Sequence, residues 1–316
     1  MGRIVTFGEI MMRLNPPGYL RIQQTDEFKA SYAGGEANAA VSLANYGEDS
    51  RFVTMVPEND LGQSAVNSLR HWGVDVSCIA RGGERLGIYF VEKGASQRAS
   101  KVIYDRKGSS VATSCFEDYD WDRIFEGADW FHFTGITPAL SDSLADLCLR
   151  VCRLAKDRGM TVSCDLNYRK NLWSREKASR VMSELARFVD VLIGNEEDAY
   201  DVFGFKAGDS DIIGGQLSHE GYAAVARKIT EEFGCSKVAF TLRESISASD
   251  NNWAGMLYDS EGAHFSKKYP IHIVDRVGGG DSFSGALIYA LHNGFKSDEA
   301  IGFAVAASCL KQTIEY

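Results

Sequence analysis

Three consecutive glycines stand directly before a carboxylate in "DRVGGGDSFSGALIYALHNG", residues 275 to 294. Beyond them, apolar side chains recur at helical spacing, at Phe283, Ala286, Leu287, Ala290 and Leu291. Gly278, Gly279 and Gly280 are therefore predicted to lie at a helix N-terminus, where bare backbone N–H groups and the helix dipole both favour negative charge. The pattern predicts an anion hole for a phosphoryl group.

Asp281 follows these glycines and is predicted to lie in the first turn of the same helix. From there, its carboxylate can accept the proton of a hydroxyl that attacks phosphorus. The alternative is a plain glycine-rich turn in which Asp281 caps the helix, and this motif alone leaves both interpretations open. The sequence has no G-x-x-x-x-G-K-[ST], which excludes a P-loop kinase, and no G-x-G-x-x-G after its first strand, which argues against a dehydrogenase.

A second glycine-rich helix start lies near the other end of the chain, in "AGGEANAAVSLANYG", residues 33 to 47. Gly34 and Gly35 precede the predicted helix and allow close approach of a sugar, and Asn38 in its first turn can both donate to and accept from hydroxyl groups. Two such starts, far apart in sequence, predict one site with two halves.

The elements that position these motifs alternate in type along most of the chain. Short apolar runs predict strands at 3 to 8, 50 to 56, 128 to 135, 160 to 167, 189 to 195 and 237 to 242. Amphipathic stretches predict helices at 37 to 46, 60 to 72, 141 to 158, 175 to 187, 220 to 233, 281 to 293 and 298 to 310. This alternation is typical of an α/β fold with a mostly parallel sheet covered by helices.

In such sheets, ligands bind beyond the carboxyl ends of the strands, which places Asp165, Asn167, Asn195 and Thr241 in the predicted site. Asp165 and Asn167 are also ordinary residues for a turn after a strand, and that alternative stays open.

Two segments, residues 11 to 33 and 85 to 108, break the alternation and read as extended hairpins. They predict a small β-sheet lid on the α/β core. A lid with exposed strand edges also invites pairing with a second copy of the chain, so we expect a homodimer or higher homo-oligomer.

The lid carries residues that suit a negatively charged substrate. Tyr104 and Arg106 share one face of a predicted lid strand, Tyr89 lies on the companion strand, and Arg169 follows a core strand in "DLNYR". Two guanidinium groups beside tyrosine hydroxyls suit a carboxylate, which a planar two-pronged donor matches. The alternative is that Arg106 and Arg169 are ordinary surface charges.

Composition limits the partners of the protein. The chain has 316 residues and a formal net charge of −9, and it lacks a long basic run, which argues against nucleic acid. It also lacks an apolar stretch long enough to span a membrane and the pattern of a signal peptide, so the sequence predicts a cytoplasmic protein. Its seven cysteines show no C-x-x-C and predict reduced thiols, and His132, within an apolar strand, predicts a core histidine.

The two glycine motifs resemble the N-terminal and C-terminal signatures of the ribokinase-like (PfkB) carbohydrate kinases, and the resemblance extends almost to Tyr316. It implies a single kinase domain over residues 1 to 316, with a three-layer α/β/α core and a β-sheet lid. It also implies ATP-dependent, Mg²⁺-assisted phosphorylation of a sugar hydroxyl, with Asp281 as the catalytic base and Gly278, Gly279 and Gly280 in the anion hole.

Within that family, "DRVGGGDSFSGALIY", "DLNYR" and "YDR" are most similar to the 2-keto-3-deoxygluconate kinases. The resemblance implies that this sugar acid is converted to its 6-phosphate, with Arg106 and Arg169 at carboxylate-contacting positions. Arg276 stands where the general family pattern prefers a small residue, although these sugar-acid kinases tolerate arginine.

The polar stretch "TLRESISASDNNW", residues 241 to 253, follows a strand and is predicted to line the phosphates and ribose of the nucleotide. Thr241, Arg243 and Ser245 are the predicted contacts there, together with Gly278 and Gly280, and Arg243 is the candidate phosphate contact. A simple β-turn loop is the alternative.

A metal-organising N-x-x-E motif of the family reads Asn195-Glu196-Glu197-Asp198 here, with a shorter carboxylate at the fourth position. The resemblance therefore places Mg²⁺ near Asn195 and Asp198, through water. A monovalent cation is kept as a further candidate cofactor.

Two other functions remain open. The first is a fructokinase or ribokinase that acts on a neutral sugar, for which the two arginines would matter little. The second is a sugar- or nucleotide-binding regulator without turnover, against which the retained base and glycines argue.

Overall fold

The computed structural model describes residues 2–206 and 219–315. Most of the loop predicted around residues 205 to 220 therefore lies outside the described residues. In chain order, the strands are β1 (Arg3–Phe7), β2 (Met11–Asn15), β3 (Lys29–Ala33), β4 (Ser50–Val53), β5 (Met55–Val56), β6 (Ala80–Arg81), β7 (Gly87–Glu92), β8 (Lys101–Asp105), β9 (Ala128–Thr134), β10 (Thr161–Asp165), β11 (Val191–Gly194), β12 (Lys237–Ser245), β13 (Asp250–Asp259), β14 (Gly262–Phe265) and β15 (Tyr269–His272).

The helices are α1 (Gly35–Asn45), α2 (Asp60–His71), α3 (Trp121–Ile124), α4 (Ile136–Ala139), α5 (Asp142–Asp157), α6 (Arg175–Ala186), α7 (Glu196–Phe203), α8 (His219–Phe233), α9 (Gly279–His292) and α10 (Ser297–Gln312). All seven predicted helices are present, and their ends differ from the predicted ones by at most two residues.

The large sheet has the strand order β14-β13-β12-β11-β10-β9-β1-β4, and β15 pairs with β13. Strands β4, β1, β9, β10, β11 and β12 run parallel, and the β13 end of the sheet is antiparallel. All six predicted core strands are present. The stretch predicted at 50 to 56 is divided, because Met55–Val56 leaves the large sheet and pairs with β6 in a separate two-stranded sheet.

Helices cover both faces of this sheet. In β1, Val5 and Phe7 pack into one core with α5 to α8, whereas Ile4 packs into the other with α1, α9 and α10. Alternate residues of a strand point to opposite faces, so a strand that is apolar on both sides must lie between two helical layers. The predicted three-layer α/β/α core is confirmed.

The stretch 241 to 253 is a β-hairpin and not the simple β-turn loop that was the alternative, and its contact with phosphates and ribose stays a prediction. Strand β12 extends to Ser245, and β13 returns from Asp250 with Arg243 opposite Trp253 and Ser245 opposite Asn251. Strand patterns are recognised by alternating apolar residues. Here the alternation is weak because both faces carry polar residues, Ser245 and Asn251 on one face and Glu244 and Asn252 on the other.

The lid is a four-stranded sheet of order β3-β2-β7-β8. Two antiparallel hairpins, β2 with β3 and β7 with β8, are joined by parallel pairing of β2 with β7. The predicted separate small sheet is thus confirmed. Strand β8 is exposed along its whole length, so it leaves one edge of the lid open to solvent.

The prediction that His132 lies in the core is confirmed. His132 is buried, its Nδ1 lies 2.9 Å from Ser163 Oγ, and burial lowers its pKa to about 4, which keeps the ring neutral.

All seven cysteines lie in the described ranges and carry free thiols. Of the described helices, none combines the length and apolar character that a membrane span requires.

Candidate active site

A cleft of about 1310 Å³ lies between the lid and the carboxyl ends of the strands. It brings together every predicted site residue, from both glycine motifs, the lid and three strand ends: Gly34, Gly35, Asn38, Tyr89, Tyr104, Arg106, Asp165, Arg169, Asn195, Asp198, Thr241, Arg243, Ser245, Gly278, Gly279, Gly280 and Asp281. We call the part lined by Tyr89, Tyr104 and Arg106 the lid end, and the part lined by Gly278–Gly280 and the β12–β13 hairpin the glycine end.

At the glycine end, α9 begins with an unusual backbone. Gly278 is the N-cap and has a φ of +82°, a left-handed conformation that residues with a Cβ rarely adopt. Because Gly278 is the N-cap, Asp281 lies inside the first turn, and the interpretation of Asp281 as the cap is wrong. A Cβ placed on Gly280 would meet no atom of the described chain within 4 Å, although Gly280 lines the cleft. Space for a ligand therefore remains beside Gly280.

One of the three predicted N–H groups is already used. The N–H of Gly279 donates to the carbonyl of Arg276 at 3.3 Å, a long bond that closes the turn. The predicted anion hole would therefore rely on the neighbouring N–H groups along the helix start, which have no partner one turn earlier.

The Asp281 carboxylate is held by the first glycine motif. Asn38 Nδ2 donates to Asp281 Oδ2 at 2.6 Å across 243 residues of chain. Burial raises the pKa of Asp281, whereas the Asn38 hydrogen bond and the positive charges of Arg169 and Lys311 lower it. One N–H of Asn38 thus orients the acid, and the predicted contact of Asn38 with a sugar hydroxyl stays a prediction.

The glycines of the first motif serve the chain itself as much as a ligand. A Cβ on Gly34 would stand 1.8 Å from the carbonyl oxygen of Glu9, so glycine is required where these two segments cross. A Cβ on Gly35 would lie 3.3 Å from Thr134 Cγ2 and 3.6 Å from Asp281 Oδ1. Gly34 therefore allows the crossing with Glu9, and Gly35 allows the start of α1 to lie against Asp281.

At the lid end, Arg106 is buried and paired. Its guanidinium forms an ion pair with the buried carboxylate of Glu9, which also accepts from Ser109 Oγ at 2.5 Å. The guanidinium lies over the ring of Tyr104, 5.4 Å from its centroid, and Tyr104 stacks on Tyr89 at 5.7 Å. Arg106 Nε is buried without a hydrogen-bond partner among the described residues.

Arg169 differs from Arg106, because it is exposed at the rim and its Nη1 donates to the carbonyl of Tyr168 at 3.1 Å. Arg106 is therefore not an ordinary surface charge, and the contact of both guanidinium groups with a substrate carboxylate stays a prediction. One is buried and already carries a carboxylate partner, and the other is exposed.

Two further buried carboxyl groups line the floor of the cleft. Burial, with the negative charges of Asp198 and Asp281, raises the pKa of Asp165 to about 8. Burial likewise raises the pKa of Asp198 to about 7, against the opposing charge of Arg169. Asn195 caps α7 and exchanges two hydrogen bonds of 2.8 Å with Asp198, one with its backbone N–H and one with its carboxylate.

The hairpin supplies polar groups to the glycine end. Arg243 and Ser245 on β12 lie opposite Trp253 and Asn251 on β13, so the four residues share one face, and all of them line the cleft. Within the described ranges, the buried atoms Asn251 Oδ1 and Trp253 Nε1 have no hydrogen-bond partner. Buried polar atoms without partners are rare, and here they mark a surface that suits a polar ligand.

Comparison with known proteins decides the family. Residues 1–313 match the model of the pfkB family carbohydrate kinases. The chain belongs to this family and is a carbohydrate kinase. A 2-dehydro-3-deoxygluconokinase from Thermotoga maritima, known as a crystal structure, is 50% identical and has a TM-score of 0.96, with 100% of this chain and 94% of that chain covered.

Two more distant relatives extend the comparison with this PfkB kinase. A 2-dehydro-3-deoxygalactonokinase from Haloferax volcanii is 31% identical, with 98% of this chain and 91% of that protein covered. A fructokinase from Xylella fastidiosa, solved with bound ATP, is 20% identical with a TM-score of 0.77 and covers 99% of this chain and 92% of its own, which shows the shared fold. The predicted family and ribokinase-like fold are confirmed.

The residues of the PfkB kinase fit a nucleotide with Mg²⁺. The open space beside Gly280, the Arg243 side chain and the Trp253 Nε1 donor suit a phosphate chain, whereas the Asn251 Oδ1 acceptor suits a hydroxyl or amino group of the nucleotide. In the described ranges, no three His, Cys, Asp or Glu side chains are grouped to hold a metal ion by themselves. Mg²⁺ commonly binds to one or two carboxylates and keeps several waters, and Asp198, already bonded to Asn195, suits contact through water.

Sequence reasoning missed two carboxylates of the kinase. Glu9 neutralises Arg106, and Glu36 accepts from Thr134 N at 3.0 Å, Thr134 Oγ1 at 2.8 Å and Thr137 Oγ1 at 2.6 Å. Burial raises the pKa of Glu36 to about 6. The position of Glu36 directly after Gly34 and Gly35 is a signal that could have been used, because an acid in the first helical turn rarely becomes buried without partners.

Proposed function

We propose that this kinase transfers the γ-phosphoryl group of ATP to the 6-hydroxyl of 2-keto-3-deoxygluconate, also called 2-dehydro-3-deoxygluconate. One observation carries the proposal. Asp281 is bonded to Asn38 of the first glycine motif and lies in the first turn of the second, so a single carboxylate stands where the two halves of the cleft meet. A base in that place can accept the proton of a hydroxyl bound in one half while this hydroxyl attacks a phosphoryl group bound in the other.

In this mechanism, Asp281 accepts the proton of the attacking hydroxyl. The Asn38 hydrogen bond keeps the carboxylate oriented and favours its charged form. Backbone N–H groups at the start of α9, aided by the helix dipole, stabilise negative charge beside Gly280. When bound, ATP with Mg²⁺ supplies the phosphoryl group and neutralises part of its charge.

Recognition of a sugar acid is assigned to the lid end. Arg106 retains a buried Nε without a protein partner in the described chain, and Arg169 adds an exposed positive charge at the rim. A substrate carboxylate can bond to the remaining edge of a guanidinium whose other side holds Glu9. The relatives named for 2-dehydro-3-deoxy sugar acids support this assignment.

A neutral sugar is the second candidate substrate, and one observation favours it. Glu9 already neutralises Arg106, and its carboxylate lines the same cleft, where it can accept from a sugar hydroxyl. A fructokinase or ribokinase activity would follow if hydroxyl groups, rather than a carboxylate, fill the lid end.

The test is ATP consumption with Mg²⁺ on a panel of 2-keto-3-deoxygluconate, 2-keto-3-deoxygalactonate, gluconate, fructose and ribose, with Asp281→Asn alongside. We expect turnover on the keto-deoxy acids and a loss of about 10³-fold or more in kcat for the variant. Turnover on fructose or ribose would overturn the sugar-acid assignment, and undiminished kcat in Asp281→Asn would remove the base. Absence of turnover on every sugar would favour a binding protein.

We also infer a homodimer that pairs through the lid. The supporting feature is the edge strand β8, in which every residue is exposed to solvent. It includes three large apolar or aromatic residues with exposed fractions of 39% to 46%, namely Val102, Ile103 and Tyr104. Light scattering after size exclusion should give twice the chain mass, and a monomer at micromolar concentration would contradict the inference.

A further inference from the structure

One face of the C-terminal helix holds the segment that leads into the anion hole. Ser308, Lys311 and Gln312 share that face of α10 because they are three and four residues apart. Ser308 Oγ donates to the carbonyl of Gly279 at 2.7 Å, and the carbonyl of Gln312 accepts from the N–H of Asp275 at 3.2 Å. The turn that forms the anion hole is therefore supported from behind by side chains and backbone of another element.

Lys311 makes the most specific of these contacts. Its Nζ donates to the carbonyl of Asp275 at 3.1 Å and to the carbonyl of Val277 by a shorter bond. Its Cε would lie 3.6 Å from a Cβ on Gly278. In the described part of the chain, Lys311 lies outside the cleft lining, so it acts on the anion hole through the backbone and not on a ligand directly.

The side chain of Asp275 completes the arrangement. Asp275 Oδ1 accepts from the N–H of Val277 at 3.0 Å, and Oδ2 is paired at 2.5 Å with Arg13, a fully buried residue of the lid strand β2. Arg13 and Lys311 thus bring positive side chains to Asp275 beside the N-terminus of α9. Positive charge there adds to the positive end of the helix dipole.

We propose that Lys311 is a positioning residue of the phosphoryl-transfer reaction, whose ammonium group fixes the Asp275 and Val277 carbonyls and thereby sets the anion hole at Gly278–Gly280. Two carbonyls that point at one ammonium cannot also turn toward the cleft, so the N–H groups on the other side of these peptides stay directed at the ligand. The same ammonium adds positive charge behind the site of the transferring group. The inference rests on the proposed function in one respect, namely that the transferring phosphoryl group binds at Gly278–Gly280.

The test compares Lys311→Met, which keeps the length of the side chain and removes its charge, with Lys93→Met. Lys93 is a matched control, because it pairs with Glu315 at 2.6 Å just beyond the same helix. For Lys311→Met, we expect kcat to fall about 10²-fold, as for loss of a group that stabilises transition-state charge, with KM for the sugar changed less than about threefold. Lys93→Met should keep kcat within about threefold of the unchanged enzyme.

Chemical rescue separates positioning from support of the fold. In Lys311→Ala, added methylammonium should restore part of the lost kcat, because it can occupy the vacated position and bond to the same carbonyls. Loss of structure would not respond to a small amine. Unchanged kcat in Lys311→Met, or an equal loss in Lys93→Met, would overturn the proposal.

A binding measurement keeps the inference independent of the sugar. ADP with aluminium fluoride mimics the transferring group, so Lys311→Met should bind it about 10²-fold more weakly while ADP alone binds within about threefold of normal. If Lys311→Met does not fold, Lys311→Gln, which keeps a donor without charge, should show the same selective loss in smaller measure. An inactive unchanged enzyme would count against the proposed function, whereas equal binding of the mimic by both proteins would count against Lys311.

Discussion

At the lid end of the cleft, the polar groups are side chains that already have partners within the protein, whereas the glycine end presents backbone that other elements hold from behind. Arg106 lines the cleft while it is ion-paired with Glu9. Gly280 lines the cleft at a place where a Cβ would extend into open space. The lid end can therefore change its substrate by exchanging side chains. The glycine end can change little, because its geometry depends on a backbone conformation and on contacts from α10.

Burial of charge also separates the two ends. The lid end balances each buried charge locally, as in the pair of Arg106 with Glu9. Beside the glycine end, the Lys311 ammonium group joins the buried pair of Arg13 with Asp275. A positive group in that place suits the highly charged phosphate chain proposed for the glycine end.

The strongest test of the comparison alters the backbone of the glycine end. Gly278→Ala places a Cβ at a φ of +82°, which costs roughly 1–2 kcal/mol and shifts the turn. We expect kcat to fall about 10²- to 10³-fold with the sugar KM little changed. Steady-state kinetics and thermal unfolding measure both effects.

Gly234→Ala is the matched control for this change. Gly234 has a φ of +81°, follows α8 and is not part of the cleft lining described. A Cβ there would meet no described atom within 4 Å, whereas a Cβ on Gly278 would lie 3.5 Å from Asn38 Nδ2, an ordinary contact. It should lose similar stability and keep its kcat. Equal losses of kcat in the two variants would show that strain, and not the anion hole, causes the effect.

The second test separates charge recognition from charge balance at the lid end. Arg106→Met leaves the buried Glu9 carboxylate unpaired, which should cost roughly 3–5 kcal/mol of stability and raise the KM for the sugar acid about 10²-fold. Adding Glu9→Gln should restore most of the stability and none of the affinity. Urea unfolding and KM measurements on the single and double variants give the answer. Recovery of affinity in the double variant would favour a neutral substrate.

The third test uses the buried carboxyl group on the cleft floor. The pKa of Asp165 is about 8 in the folded protein, above its value in the unfolded chain, so the folded state binds this proton more tightly. The protein should therefore lose stability through Asp165 as the pH rises from about 4 to about 8. Asp165→Asn should remove that loss and gain about 4 kcal/mol relative to the unchanged protein between pH 5 and pH 9, because the loss is about 1.4 kcal/mol for each of the roughly three pH units below the folded pKa. Parallel slopes of unfolding free energy against pH would contradict this.

The smallest expected effect concerns the contact that joins the two ends. Asn38→Ala removes the hydrogen bond that favours the charged form of Asp281, so the pKa of that carboxyl should rise. The acid limb of kcat/KM should then move to higher pH by about one unit. An unmoved limb with a lower plateau would show that Asn38 contacts the sugar and not the base.

Much of this kinase follows from local patterns in its sequence. The glycines before Asp281 indicate a helix N-terminus, and the chain there does begin α9 at Gly279. The core strands carry apolar residues on both faces, so their number and parallel arrangement could be predicted. The β12–β13 hairpin could not, because polar residues such as Glu244 and Ser245 lie on both of its faces and weaken the alternation on which strand prediction depends.

The sequence by itself determined the fold class, the two glycine-rich helix starts and part of the cleft lining, because each depends on neighbours a few positions away. Only the tertiary structure decided which charges are paired. Asn38 meets Asp281 across 243 residues, Glu9 meets Arg106 across 97, and Arg13 meets Asp275 across 262. Such contacts depend on how the sheet, the helices and the lid pack together and on which buried charges must be neutralised. The spacing of residues a few positions apart predicts neither.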